Sequence, residues 1–285
     1  MKVLIIGASG LVGSNLYQVF GKNNKDGINL GTHLSYSTDH SVYFDPLKEV
    51  PIEISKENWD VIIHTGALTN VDQCETEQDL SYQLTVASTQ MLLLLAKNNN
   101  SKFVYLSTDY VFNGENGPYI ETDKVEPLNV YGKHKLEAEK LVLTYPDHLI
   151  LRITNVYGNE IRNKNFIARI LDSVKQKEFV EIKAPVDQLA TPVNAADVAK
   201  AIYLLVQDNR TGIYHLASTD YLSRVQLLQR INAYYANKIK IIPVKTASLN
   251  QAALRPLRGG LIAAKFASEY PDFIFSNVDD YLKKQ

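Results

Sequence analysis

Residues 3–6 form a short, wholly apolar run that ends in Gly7, the pattern of a central parallel strand buried on both faces. After it, Leu11, Val12, Leu16, Val19 and Phe20 recur at helical spacing, and the pattern stops at Gly21 and a pair of asparagines. Further apolar runs predict strands over 28–31, 42–44, 61–64, 103–107 and 149–152, with helices over 80–97 and 131–143. Strands alternating with helices imply βαβ units, right-handed crossovers and a parallel sheet. The expectation is an α/β fold: a doubly wound parallel sheet with a smaller C-terminal lobe that binds substrate. The alternation weakens past residue 155. There the pattern predicts helices over 163–176, 195–206 and 223–235, and strands over 180–182, 212–216 and 239–244. Residues 1–155 are thus expected to form the nucleotide-binding domain. Residues 156–285 are expected to form mainly the second lobe, with some segments crossing back.

Composition narrows the partners. The 285 residues are 45% apolar and 21% charged, and the net charge of -1 offers no basic field for a nucleic acid. The purest apolar run, 91–96, is far below the ~20 residues of a membrane helix. A single cysteine, Cys74, leaves no intrachain disulfide, and a packed thiol is the default against a nucleophile. With no secretory signal pattern after Met1, a cytoplasmic location is expected. No His, Cys and carboxylate cluster has metal-ligand spacing, so no metal is expected.

The segment from Gly7 to Gly13, G-A-S-G-L-V-G, follows a strand and opens a helix. Glycines there let the backbone turn tightly and approach a pyrophosphate, while the helix start offers free N–H donors. Gly7, Ser9, Gly10, Leu11, Val12 and Gly13 are therefore the candidate dinucleotide cradle, although tight-turn glycines alone give the same spacing. The region where an acidic residue would bind an NAD ribose reads Gly31-Thr32-His33-Leu34-Ser35, with no carboxylate until Asp39. A 2′-phosphate is then tolerated, with Thr32 or His33 as donors, which favours NADPH and leaves NADH open. Asp45 either accepts from the adenine amino group or is a turn residue before Pro46.

Tyr131 and Lys135 stand four apart on one helical face. A phenol there can protonate a carbonyl oxygen as hydride arrives, and the ammonium is expected to lower the phenol's pKa or hold a nicotinamide ribose. Upstream, the strand over 103–107 leads into Thr108-Asp109-Tyr110. Thr108 can donate to the same carbonyl oxygen, and Asp109 can orient the substrate or assist proton transfer; strand-end turn chemistry is the alternative.

With these residues the chain resembles the extended short-chain dehydrogenase/reductases, and among them the dTDP-4-dehydrorhamnose reductase family. The likeness rests on the glycine loop, Thr69-Asn70-Val71-Asp72 with Glu75, the run from Ser107 to Phe112, Pro118-Tyr119-Ile120-Glu121, and Tyr131-Gly132 with Lys135. Arg152, Val156-Tyr157-Gly158, Asp187-Gln188, Pro192 and Arg255-Pro256 extend it along nearly the whole chain. The resemblance implies a Rossmann fold and hydride delivery from NAD(P)H to C4 of a nucleotide-linked 4-keto-6-deoxy sugar. Thr108, Tyr131 and Lys135 would be the catalytic set with Asp109, and Ala67, Tyr131 and Lys135 would join the cofactor site. On the substrate side it implies Thr69, Val71, Asp109, Asn155, Lys164, Gln188 and Arg255, with Arg255, Arg258 or Lys164 meeting the diphosphate. A small-molecule nucleotide sugar is the expected partner, and a homodimer stays open.

The chain departs from that family at His134, where Ser is usual, at Asn155, where Trp is usual, and at 189–191, where a Gly is usual. Losing an aromatic wall and gaining an amide changes what the pocket holds. Three other readings share parts of the pattern. A sugar 4,6-dehydratase needs a Glu where Tyr110 stands. An epimerase would keep its nicotinamide bound throughout the cycle. A regulatory subunit resembling that of methionine adenosyltransferase would bind without turnover.

Overall fold

The structure is a computed structural model that describes every residue of the chain except 161 and 178. Strands β1 (Lys2–Ile6), β2 (Ile28–His33), β3 (Ser41–Tyr43), β4 (Val61–His64), β5 (Lys102–Thr108) and β6 (His148–Ile153) come from the first half. The second half adds β7 (Val180–Pro185), β8 (Leu189–Ala190), β9 (Gly212–His215), β10 (Leu222–Ser223) and β11 (Ile239–Val244). Seven of these form one parallel sheet in the order β3-β2-β1-β4-β5-β6-β9. Val61–His64 and Lys102–Thr108 are buried throughout, as continuous apolar runs covered on both faces require. The order reverses between β1 and β4, and the crevice beyond their carboxyl ends is where such sheets bind ligands.

One face of the sheet is covered by the helices Leu11–Asn23 and Ala195–Gln207, which share a core of Leu16, Phe20, Val198 and Ile202. The opposite face packs Leu92, Leu93, Ala138 and Val142 from the helices Ser88–Asn99 and Val130–Leu143. Late segments return to this domain: β9 closes the sheet edge, and Phe266 is wholly buried in the main core with Phe273 and Phe275 against it. The second lobe sits over the sheet's carboxyl edge. There β7 pairs with β11 in parallel and β8 with β10 antiparallel, around a separate core that includes Leu171, Leu228, Ile231 and Leu282.

One predicted helix differs from the pattern. Residues 80–97 do not run as a single α-helix: a π-turn over Gln83–Ala87 joins Gln78–Tyr82 to Ser88–Asn99. Hydroxyls account for the local change, because Ser88 and Thr89 donate to the carbonyls of Leu84 and Thr85 at 2.9 and 2.6 Å.

The helix Val130–Leu143 is fixed by a buried ion pair. Arg152 on β6 is 3% exposed and Glu139 is 1% exposed. The guanidinium donates through Nε and Nη2 to the two carboxylate oxygens at 3.0 and 2.7 Å. Arg152 also lies 5.2 Å over the Phe112 ring, with His215 Nε2 at 3.5 Å from its Nη1. His215 is held as the neutral ring: burial and the Arg152 charge lower its pKa to about 3, and its Nδ1 faces the Tyr119 carbonyl at 3.0 Å. Glu121 closes the network by accepting the His215 backbone N–H at 2.8 Å. The Pro-Tyr-Ile-Glu segment thus ties the β9 edge to the helix that carries Tyr131.

Removing one partner of such a pair strands the other charge in a dry interior. Glu139→Ala is expected to lower the unfolding free energy by about 3–5 kcal/mol, read from urea denaturation. A loss below about 1 kcal/mol would place the pair among exposed ones that contribute little.

Candidate functional site

The glycine loop begins with Gly7 at φ +82, a backbone conformation that side chains disfavour. A Cβ on Gly13 would stand 2.2 Å from the Gly7 carbonyl oxygen, so the helix can pack against the loop only with glycine there. Thr32 steadies this turn from β2: its hydroxyl accepts the Gly7 N–H at 3.2 Å and its carbonyl accepts the Ala8 N–H at 2.8 Å. The helix Leu11–Asn23 starts at Gly10 without a side-chain cap, leaving its first N–H groups to face the crevice beside Ser9 and Gly10. A glycine-rich loop backed against a strand and opening a helix fits a dinucleotide pyrophosphate.

Two elements meet at the carboxyl end of β5. Thr108 is buried at the strand end, and its Oγ1 accepts the Tyr110 N–H at 3.2 Å as the chain turns through Asp109–Val111. The helix Val130–Leu143 begins beside it, capped by Asn129, whose Oδ1 accepts the Gly132 N–H at 2.9 Å. Glu75 accepts the Val130 N–H at 3.0 Å, and Asn129 Nδ2 donates to the Leu254 carbonyl at 2.7 Å. Gly132 is required by contact: a Cβ there would lie 2.2 Å from the Tyr110 carbonyl oxygen. Helix and turn therefore close together, and the Tyr110 and Tyr131 rings meet edge-on at 5.6 Å.

The electrostatics of this corner differ from the expectation that Lys135 would lower the Tyr131 pKa. Burial pushes the phenol above its ordinary value, with the neighbouring Asp109 adding to it and a Thr108 hydrogen bond opposing. Lys135 is 3% exposed; its amine donates to the Leu106 carbonyl and lies 4.2 Å over the Tyr105 ring. Desolvation lowers its pKa to about 7 against the pull of Glu139. A lysine tied into the interior in this way gives the phenol no dominant positive field. His64 and Tyr105 lie in the same buried wall, and burial holds His64 neutral with a pKa of about 3.

Asp109 is 3% exposed and joins the two lobes. Its Oδ2 accepts the Gly260 N–H at 3.0 Å, and the Thr108 hydroxyl approaches Oδ1 at 3.4 Å. Burial raises its pKa above the ordinary carboxylate value. A Cβ on Gly259 would sit 2.9 Å from Oδ2, so the late Gly259-Gly260 pair is what lets the second lobe approach. From Asp109 a cleft extends into the second lobe, lined by Tyr110, Asn155, Gln188, Arg224 and Pro256 among others.

A family model described as the RmlD substrate binding domain matches residues 1–274. The chain belongs to that family. It is 30% identical over 285 residues to the dTDP-4-dehydrorhamnose reductase of Escherichia coli (strain K12), covering 95% of this chain and 92% of that one. It is also 30% identical over 235 residues to methionine adenosyltransferase 2 subunit beta of Rattus norvegicus, covering 79% and 70%. A crystal structure of dTDP-4-dehydrorhamnose reductase from Bacillus anthracis in complex with NADP superposes with a TM-score of 0.85 at 26% identity, over 99% of this chain and 97% of that one. The Rossmann-type fold expected from the alternating pattern is the fold of these relatives.

The remaining sequence-predicted residues are distributed unevenly around this frame. Asn155 and Gln188 line the cleft. Thr69 and Lys164 are exposed and lie outside the cleft lining, whereas Ala67 and Val71 are half-buried on the path from β4. Arg255 is fastened to Asp72 at 2.7 Å and to the Ala253 carbonyl at 3.0 Å, so its guanidinium serves to hold the 253–255 segment. Thr32, expected as a donor to a 2′-phosphate, is 1% exposed and spent on the glycine loop. His33 is half-buried with Nδ1 at 2.8 Å from the Ser41 hydroxyl, and Asp45 follows its turn reading by accepting the Leu47 N–H at 3.1 Å. His134 faces Ser81 at 2.8 Å, on the side of the neighbouring helix Gln78–Tyr82. Among the described residues no group of three or more His, Cys, Asp or Glu is placed to hold a metal ion.

Sequence reading missed Arg224 and the Gly259-Gly260 pair. A lone arginine at a helix start carries no signal of its own, while two adjacent glycines just after Arg-Pro mark a close backbone approach.

Because Lys135 titrates near 7 when folded and near 10.4 when unfolded, the unfolded state binds more protons between those values. Stability from this group therefore rises with pH across that window and is flat below it. The stability difference between the protein and its Lys135→Met variant should narrow as pH rises from about 7 to 9, measured by urea unfolding. A difference independent of pH would contradict the buried, lowered lysine.

Proposed function

We propose that the protein reduces the 4-keto group of a nucleotide-linked 6-deoxy sugar with NADPH, as a dTDP-4-dehydrorhamnose reductase does, with NADH an alternative reductant. The observation that carries this reading is the convergence of Thr108, Tyr131 and the glycine loop at the sheet's carboxyl edge, beside a cleft that opens into the second lobe. The family, the E. coli reductase relative and the NADP complex of the Bacillus anthracis enzyme support the same chemistry.

Each residue's part follows from its surroundings. Bound NADPH supplies the hydride. The backbone of Gly7 to Gly13 holds its pyrophosphate through N–H groups at the helix start. Arg162, whose guanidinium lies 5.4 Å over the ring of Tyr36 just past β2, offers a cation for the 2′-phosphate in place of Thr32. Burial keeps the Tyr131 phenol protonated at neutral pH, so a proton stands ready for the C4 oxygen as negative charge develops there. The Thr108 hydroxyl donates to the same oxygen and fixes its approach. Asp109, held by Gly260, sets the distance between the lobes and orients the sugar. Lys135, one turn deeper, holds or releases a proton near neutral pH in the wall behind Tyr131.

A second reading, a non-catalytic regulatory subunit, draws on the methionine adenosyltransferase 2 subunit beta relative. The presence of Thr108, Tyr131 and Lys135 together favours turnover. No helix among the described residues is long and apolar enough to cross a membrane. The reading includes a cytoplasmic location and a homodimer, the latter supported by Met91 and Leu94 exposed on neighbouring turns of one helix.

Tyr131→Phe is expected to keep the NADPH dissociation constant within about twofold while lowering kcat by roughly 100-fold or more. A variant that retains most of its turnover would remove Tyr131 from the reaction. Arg162→Ala should weaken NADPH binding by about tenfold and leave NADH binding unchanged. Equal loss for both cofactors would mean that Arg162 does not meet the 2′-phosphate.

A further inference from the structure

Arg224 opens the helix Arg224–Tyr234 and lines the cleft opposite Asp109 and Tyr110. It is half-buried, and among the described residues no carboxylate lies within ion-pair distance of it. Its polar partner is a neutral amide: Nη2 donates to Asn155 Oδ1 at 2.6 Å, and its Cζ lies 4.6 Å over the Phe166 ring. Burial depresses its pKa against the pull of Tyr110 and Asp109, and the like charge of Arg169 adds to the lowering. Asp109 lines the same cleft without forming an ion pair with Arg224, and its oxygens already face the Gly260 N–H and the Thr108 hydroxyl. A guanidinium in such a place keeps its remaining N–H donors for something that enters the cleft, and a desolvated cation without a counter-ion is costly until an anion arrives.

Asn155 explains how the fork is aimed. Its backbone sits at φ +42, which asparagine tolerates better than most residues, and this directs the amide oxygen at Arg224. The position that is usually Trp in the resembling family thus carries a hydrogen-bond acceptor for a cation. The three cations the sequence offered for the substrate's charge do not line the cleft: Arg255 is paired with Asp72, and Lys164 and Arg258 are exposed outside the lining.

We propose that Arg224 is the oxyanion receptor of the substrate cleft, taking a phosphate or carboxylate oxygen of the nucleotide sugar in its planar fork, with Asn155 as its positioning residue. This rests on the reading that a nucleotide sugar occupies the cleft. The oxygen has two sources, the diphosphate or an acidic group on the sugar ring, and the guanidinium geometry suits both.

The test is equilibrium binding by calorimetry, which needs no turnover. Thymidine diphosphate, dTDP-glucose and dTDP-glucuronate are titrated into the protein and into its Arg224→Gln and Asn155→Asp variants. Arg224→Gln should weaken binding by about 10- to 100-fold. An equal loss for all three ligands assigns the fork to the diphosphate, and a loss confined to dTDP-glucuronate assigns it to a sugar carboxylate. Asn155→Asp gives Arg224 a carboxylate of its own, so it should weaken the same ligands by a similar factor while raising the Tm. A purely structural Arg224 would gain from that pairing and lose no affinity, which keeps the proposal testable even where Arg224→Gln does not fold. Changes under about twofold for every ligand in the folded variants would overturn it. A wild type that binds these ligands and never oxidises NADPH refutes the reductase reading and leaves the role of Arg224 standing.

Discussion

Between β6 and the helix Val130–Leu143, a guanidinium and a carboxylate face each other almost wholly out of water. Arg152 and Glu139 tolerate that burial because both forks of the pair are used and because Phe112 and His215 fill the space around the cation. The pair fixes the axial position of the helix on the sheet. Tyr131, two turns toward its N-terminus, is thereby held at the end of β5 beside Thr108 and Tyr110. The same arginine reaches His215, whose backbone Glu121 anchors, so one network joins the sheet edge, the helix and the Pro118–Glu121 segment. Positions away from the cleft thus set where Tyr131 stands.

Glycines do the complementary work of close approach. Gly132 lets the helix meet the Tyr110 carbonyl, and Gly259 lets the second lobe meet Asp109. A methyl group at either place would push apart surfaces that must converge for the cleft to form. Asp109 then sits at the seam, in contact with β5 through Thr108 and with the second lobe through Gly260. The cleft beyond it combines a buried carboxylate on one wall with an arginine that, among the described residues, has no carboxylate at ion-pair distance on the other.

Much of this was legible in the residues. The apolar runs located the sheet strands to within a few positions, because a strand buried on both faces leaves a continuous hydrophobic signature. The glycine loop and the Thr108 and Tyr131 segments stood out because spacing and order carry chemistry. What stayed hidden depends on distance across the fold. Nothing near Arg255 announces that Asp72 claims it, and nothing near Thr32 announces that the glycine loop needs its hydroxyl. The depth of Lys135 was also invisible: four-residue spacing places it on the Tyr131 face without saying that its amine turns inward to Leu106. The π-turn at Gln83–Ala87 interrupts a sequence whose apolar periodicity reads as one helix.

The most direct measurement is the absorbance of reduced nicotinamide while the protein, NADPH and a dTDP-4-keto-6-deoxy sugar are mixed. The account predicts steady oxidation of NADPH, with one dTDP-6-deoxyhexose formed for each cofactor consumed. Tight NADPH binding without any oxidation would contradict it and assign the fold to the regulatory role that a methionine adenosyltransferase subunit relative brings into view.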